Sequence, residues 1–221
     1  FLKLFVAEEE LTIHLLIDSS ASMDWGEPNK FLYARRAAGA FGYIALSSLD
    51  RVSATAFADT SRQLPSVRGK RGALPLFNFL QNLSAGKGGD LLATCRRYVQ
   101  TNRNAGPLLF CSDLMDDNWQ EALRVLSSRQ FEVTVLHILS PQEISPQLDG
   151  DFRLLDAESG EAVEITADLE ALQRYQENLA SWRAEIERFC NGRGINYLQV
   201  NTATPVEEFV LSNLRQRGVL R

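Results

Sequence analysis

The sequence predicts an α/β protein built on a doubly wound, mostly parallel sheet. Three observations support that class. Two apolar runs end on an aspartate, LTIHLLID at 11–18 and PLLFCSD at 107–113. Segments with apolar residues at helical spacing follow each of them. Strand-like and helix-like stretches then alternate almost to the end of the chain, the pattern of a parallel sheet covered by helices on both faces. The 221 residues suffice for one large α/β domain or two small ones. Neither a low-complexity linker nor an internal repeat divides them. Residues 11–217 are therefore predicted as one domain, preceded by a lead-in segment, 1–10, from a missing upstream region, because the chain opens on Phe1 rather than Met.

Each element has its own signal. After the first strand, 11–18, comes the loop DWGEPN and then KFLYARRAAGAFGYIALSSL, with Phe31, Ala34, Ala38, Phe41 and Ala45 at helical spacing and Pro28 suited to the first turn. Residues 50–58 alternate as a second strand, and 62–66 form a short third strand at the sheet edge. Residues 72–83 carry Leu76, Phe79, Leu80 and Leu83 on one helical face. The glycine-rich turn AGKGG, 85–89, precedes a helix over DLLATCRRYVQTN. Strand 107–113, helix 118–128 and strand 131–139 follow. Residues 152–166 break the rhythm as two short extended runs around Ser159-Gly160, a hairpin signal. A long helix over 168–191 has Leu169, Leu172, Tyr175, Leu179, Trp182 and Ile186 at near-heptad spacing, read as a helix lying on the sheet or as a coiled-coil surface. Strand 195–200 and helix 205–217 close the chain.

Composition narrows the function. A formal net charge of −5 argues against nucleic acid as a ligand, and the one basic cluster, Arg68, Lys70 and Arg71, reads as a solvated turn. The three cysteines, 95, 111 and 190, fit no metal spacing and imply a reducing compartment. No apolar run approaches the ~20 residues of a membrane helix, and no secretory signal is visible. The expected location is cytoplasmic, with membrane association only through the full-length parent.

The chemistry concentrates at two strand ends. D-S-S-A-S puts Asp18, Ser20 and Ser22 on alternate positions of a tight turn, three hard oxygen donors suited to Mg2+ or Mn2+. Ligands of open parallel sheets bind beyond the C-terminal strand ends, where strand order reverses, and Asp113 occupies a second such end. If the two strands are neighbours their carboxylates converge beside the glycine turn 86–89, and a bound cation resolves the repulsion. The alternative is that Asp18 and Ser20 only cap the following turn and helix. Asp116 and Asp117 either line the rim or cap the next helix; Trp25 either offers a contact surface or packs over its loop. Catalysis is not expected. His14 and His137 lie within apolar strands, a phosphatase of the haloacid-dehalogenase type would need an aspartate where Ser20 stands, and neither a G-x-S-x-G elbow nor a P-loop is present.

DSSASM, GEPNKFLYARRAAGAFGYIALSSLDRVSATAFAD, LLFCSDLMD, VTVLHILSPQE and FRLLDAESGEAVEIT together resemble the bacterial domain-of-unknown-function 58 family, a branch of the von Willebrand factor A-type, Rossmann-like domains. The resemblance covers nearly the whole chain. It implies a metal-ion-dependent adhesion site in which Asp18, Ser20 and Ser22 form the first segment and Asp113 is the last aspartate. In such sites the serines bind the ion directly, the aspartates act largely through waters, and one coordination position stays open for a partner's carboxylate. The resemblance also implies a role as adaptor or co-chaperone of MoxR-type AAA+ ATPases. This chain departs from the family's middle segment, which offers a threonine after two glycines. Here Gly88-Gly89 is followed by Asp90. Either Asp90 takes the threonine's place, or it matches the aspartate that often follows and Gly89 stands where the ligand would be. A degenerate, metal-free site is the corresponding alternative.

Overall fold

A computed structural model describes residues 11–102, 106–128, 131–147, 150–155 and 162–216. The expected lead-in segment, 1–10, and the Ser159-Gly160 turn lie outside them. The elements run β1 (Thr12–Asp18), α1 (Lys30–Ser47), β2 (Arg51–Phe57), β3 (Ser61–Arg68), α2 (Ala73–Gln81), α3 (Leu91–Thr101), β4 (Gly106–Ser112), α4 (Trp119–Ser127), β5 (Phe131–Leu139), α5 (Pro141–Ile144), β6 (Gly150–Leu155), β7 (Ala162–Ala167), α6 (Leu169–Asn191), β8 (Asn196–Asn201) and α7 (Val206–Gln216).

Six strands form one sheet in the order β3-β2-β1-β4-β5-β8. All neighbours are parallel except the edge strand β3, which runs antiparallel to β2. This is the von Willebrand factor A-like, Rossmann-like arrangement. The chain winds outward from β1 in one direction through β2 and β3, then returns to pair β4 on the other side of β1, so the switch point lies between β1 and β4. Alternate side chains of each strand feed two apolar layers. Leu15 and Ile17 pack in one layer with Ala34 and Ala38 of α1, Leu76 of α2 and Phe209 of α7. Leu16 packs in the other with Leu91 of α3, Trp119 of α4 and Ile186 of α6. Burying strands on both faces explains why β1 and β4 read as nearly continuous apolar runs.

Local chemistry moved some boundaries. Pro28 lies before α1, not within its first turn: Asn29 is the N-cap, its side-chain oxygen accepting from the Leu32 amide at 2.8 Å. The helix read at 72–83 begins as a 3-10 turn, Lys70–Gly72, and becomes α-helical at Ala73. Helix α5 was not anticipated, although its signal is local. Ser140 and Glu143 form a reciprocal capping box with Pro141 at the first helical position. β6 and β7 pair antiparallel as a separate two-stranded sheet, the hairpin expected before the long helix. In α6 only Leu179, Ile186 and Cys190 are buried, whereas Leu169 is 81% exposed. The near-heptad stripe is thus covered along the C-terminal half of the helix, the part that packs on the sheet.

Candidate metal centre

β1 and β4 are adjacent and in register from His14 opposite Leu108 to Ile17 opposite Cys111, so their last residues emerge together at the switch point. Asp18 is held from two sides. Its Oδ1 accepts from the Ser20 amide at 2.9 Å, closing the tight turn, and its Oδ2 accepts from Ser112 Oγ at 2.7 Å, reaching across to β4. Ser112 Oγ also accepts from the Leu114 amide at 2.9 Å. Ser20 Oγ and Ser22 Oγ lie 3.1 Å apart. Asp18, Ser20, Ser22 and Asp113 all line one small cavity of about 40 Å³, rimmed by Gly89, Met115 and Asp116. That volume accommodates about three water molecules, since one needs ~10–15 Å³.

The glycine turn closes the cavity from the side of β2. The Gly86 amide donates to the Ser19 carbonyl at 2.8 Å, and the Asp59 amide donates to the Lys87 carbonyl at 3.0 Å. A Cβ on Gly89 would come within 2.1 Å of the Ala58 carbonyl oxygen, so only glycine fits this close backbone approach. Gly89 itself lines the cavity; Asp90 does not. The Asp90 carboxylate is exposed and turns back on its own helix, capping α3 through the Ala93 amide at 2.8 Å. Asp116 is at the rim, where its Oδ1 accepts from the Asn118 amide at 2.7 Å. Trp25 is 58% exposed and stands as free surface on its loop; Met115 is also exposed.

Three partners of these residues escaped the sequence reading: Lys30, Ser112 and Glu143. Lys30 is fully buried. Its Nζ donates to Asp113 Oδ2 at 2.7 Å and to Glu143 Oε1 at 2.5 Å. As the first residue of α1, with no acidic residue in that turn, it has nothing local to pair with. Helix side chains tilt toward the N-terminus, which carries the ammonium up to the strand ends. Asp113 Oδ1 accepts from the Met115 amide at 3.2 Å.

The two aspartates are therefore electrostatically unequal. Asp113 faces a buried ammonium. Asp18 has only hydrogen bonds, and its pKa is pushed up to about 6, first by burial and then by the negative charge of Asp113, against the opposing hydrogen bonds of Ser20 and Ser112. A divalent cation would supply the positive charge that Asp18 lacks, and Asp18, Ser20, Ser22 and Asp113 offer it hard oxygens. The site thus fits such an ion chemically, with hydroxyls making up much of the set. Among the described residues no group of three or more His, Cys, Asp or Glu converges.

The histidines are packed inside the sheet. His14 Nδ1 is 2.8 Å from the Tyr98 hydroxyl. His137 Nδ1 is 2.7 Å from the Tyr197 hydroxyl, its ring meets Trp182 edge-on, and burial drives its pKa down to about 4. A larger apolar groove of about 880 Å³ runs between α1, α2 and α7 and shares no lining residue with the cavity of Asp18 and Asp113.

Comparison with known proteins places the chain. Uncharacterized proteins of Mycobacterium tuberculosis and Mycobacterium bovis are 28% identical over 226 residues, covering 97% of this chain and 70% of theirs. In fold the chain is similar to the conserved hypothetical protein BatB of Bacteroides thetaiotaomicron, with a TM-score of 0.52, 14% identity and coverage of 93% of this chain and 99% of that one. It is also similar to an aerotolerance-related membrane protein of Bacteroides fragilis, with a TM-score of 0.54, 18% identity and coverage of 93% and 97%. The family described as protein of unknown function DUF58 matches residues 1–185, and the chain belongs to that family, with a von Willebrand factor A-like fold.

Proposed function

We propose that this domain is a non-enzymatic, metal-dependent protein-interaction module. The observation that carries the reading is the uncompensated Asp18 carboxylate, buried beside Ser20, Ser22 and Asp113 in an ion-sized cavity. Asp18, Ser20 and Ser22 would hold a Mg2+ or Mn2+ ion, with Asp113 behind them. When bound, the ion offers a coordination position to an acidic side chain of a partner. The surrounding surface supplies the remaining affinity, and the exposed Trp25 and Met115 are suited to that contact. The family resemblance favours a MoxR-type AAA+ ATPase as partner, with the domain as its adaptor or co-chaperone. A cytoplasmic location is part of this proposal. Among the described residues no helix is long and apolar enough to cross a membrane.

Titration calorimetry with Mg2+ and Mn2+, compared between the wild type and Asp18→Ala, tests the site. Capture of a MoxR-type AAA+ ATPase from native lysate, with and without chelator, tests the partner. Saturable ion binding lost in Asp18→Ala and capture lost with chelator are the expected results; capture indifferent to chelator overturns the reading.

Two observations favour a second reading, a scaffold with a degenerate site. Gly89 brings no side-chain oxygen to the cavity, and Lys30 already compensates Asp113. The same titration separates the two, because a degenerate site takes up no ion at millimolar concentration.

A further inference from the structure

We propose that Lys30 is a built-in competitor for the divalent ion, and that Glu143 sets the strength of that competition by sharing the ammonium. The inference rests on the metal reading above and concerns residues outside its donor set. Lys30 is fully buried, and its ammonium bridges Asp113 Oδ2 at 2.7 Å and Glu143 Oε1 at 2.5 Å. Asp113 is thus one carboxylate shared between the cavity it lines and a cation behind it. Charge drawn toward the ammonium is unavailable to an ion in the cavity, and in a buried setting this matters far more than in water.

Glu143 cannot drift from this task. Its Oε2 accepts from the Ser140 amide at 2.7 Å and from Ser140 Oγ at 2.9 Å, while its own amide donates to Ser140 Oγ at 3.3 Å. The capping box of α5 therefore fixes Oε1 on Lys30. The loop that carries Trp25 is tied to the same short helix: the Glu27 amide donates to Gln142 Oε1 at 3.1 Å, and Gln142 Nε2 donates to the Glu27 carbonyl at 2.9 Å.

The arrangement trades ion affinity for partner affinity. Asp18, Asp113, Lys30 and Glu143 together carry two net negative charges when ionised, so a divalent ion leaves this group neutral and its open coordination position free of net repulsion for an incoming carboxylate. Without the ammonium the loaded group would keep one net negative charge and repel that carboxylate. Lys30 thus weakens the ion and strengthens the ion's hold on a partner.

The test is a calorimetric titration of the whole chain with Mn2+ alone, in wild type, Lys30→Met and Glu143→Gln, with thermal melts in parallel. Lys30→Met removes the competitor and binds Mn2+ tenfold or more tightly. Glu143→Gln returns the whole ammonium to Asp113 and binds at least threefold more weakly. Both variants melt lower, so a merely structural role would weaken binding in both; opposite directions are the signature of competition. Shifts in the same direction, or no shift, overturn the proposal. If Lys30→Met does not fold, Glu143→Gln decides alone, and unchanged or tighter binding there overturns it. A wild type that takes up no Mn2+ defeats the metal reading; uptake by Lys30→Met in that case still supports competition, and silence of both defeats both.

Discussion

Replacing Asp18 with asparagine removes the charge that this site compensates least. The Asp18 pKa stands at about 6 against an ordinary 3.8, raised by burial and by Asp113. A difference of about 2 units at ~1.36 kcal/mol each corresponds to a penalty of about 3 kcal/mol for keeping Asp18 ionised in the folded, metal-free protein. The sign follows from proton binding. Between about pH 4 and pH 6 the folded state holds more protons than the unfolded state, so this contribution to stability falls as pH rises through that window and stays fully unfavourable above it. Asp18→Asn escapes the penalty. Its side-chain oxygen still accepts from the Ser20 amide, but its NH2 group now meets Ser112 Oγ, which must redirect its hydroxyl. The net gain is therefore about 1–3 kcal/mol, since one rearranged hydrogen bond costs ~1 kcal/mol. Urea unfolding with chelator present, at pH 7.5 and pH 4, measures it. Asp18→Asn is expected to be the more stable protein at pH 7.5 and to have lost that advantage at pH 4. Added Mg2+ then stabilises the wild type and leaves the variant unmoved, as binding to the folded state alone requires. A variant less stable than the wild type at pH 7.5 without metal, or a difference that ignores pH, refutes the electrostatic account of the site.

Other residues separate roles that lie side by side. Gly89→Ala forces a methyl against the Ala58 carbonyl, and the turn must move; a loss of roughly 2–4 kcal/mol in denaturant melts and loss of Mn2+ binding are expected. Asp90→Ala deletes only a helix cap and is expected to cost about 1 kcal/mol in the same melts while leaving the Mn2+ dissociation constant within threefold of wild type; a tenfold loss would restore Asp90 to the ligand set. Trp25→Ala is expected to change stability by no more than ~0.5 kcal/mol, because the ring is exposed, and to reduce capture of the proposed AAA+ partner in a pull-down.

Much of this molecule is legible along the chain because the relevant physics is local. Apolar runs of strand length, helical spacing at Phe31, Ala34 and Ala38, and the hairpin signal before the long helix follow from side-chain periodicity, which any stretch displays without its neighbours. Asp18, Ser20 and Ser22 lie within one turn, and Asp113 was reachable from the rule that parallel strands deliver their ends to one edge. The Ser140–Glu143 capping box was equally readable, yet its second use was not, because Oε1 of Glu143 serves a lysine 113 residues away. Asp113 meets Lys30 across 83 residues and Asp18 meets Ser112 across 94. Asp90 illustrates the same limit from the other side. Its spacing placed it within reach of the cavity, but its carboxylate went to the nearest unpaired helix amide instead. Periodicity alone assigns the strands and the turn that carries the oxygens. Which charge faces which partner depends on packing, because a buried ion pair exists only where the tertiary structure has already removed water from both groups.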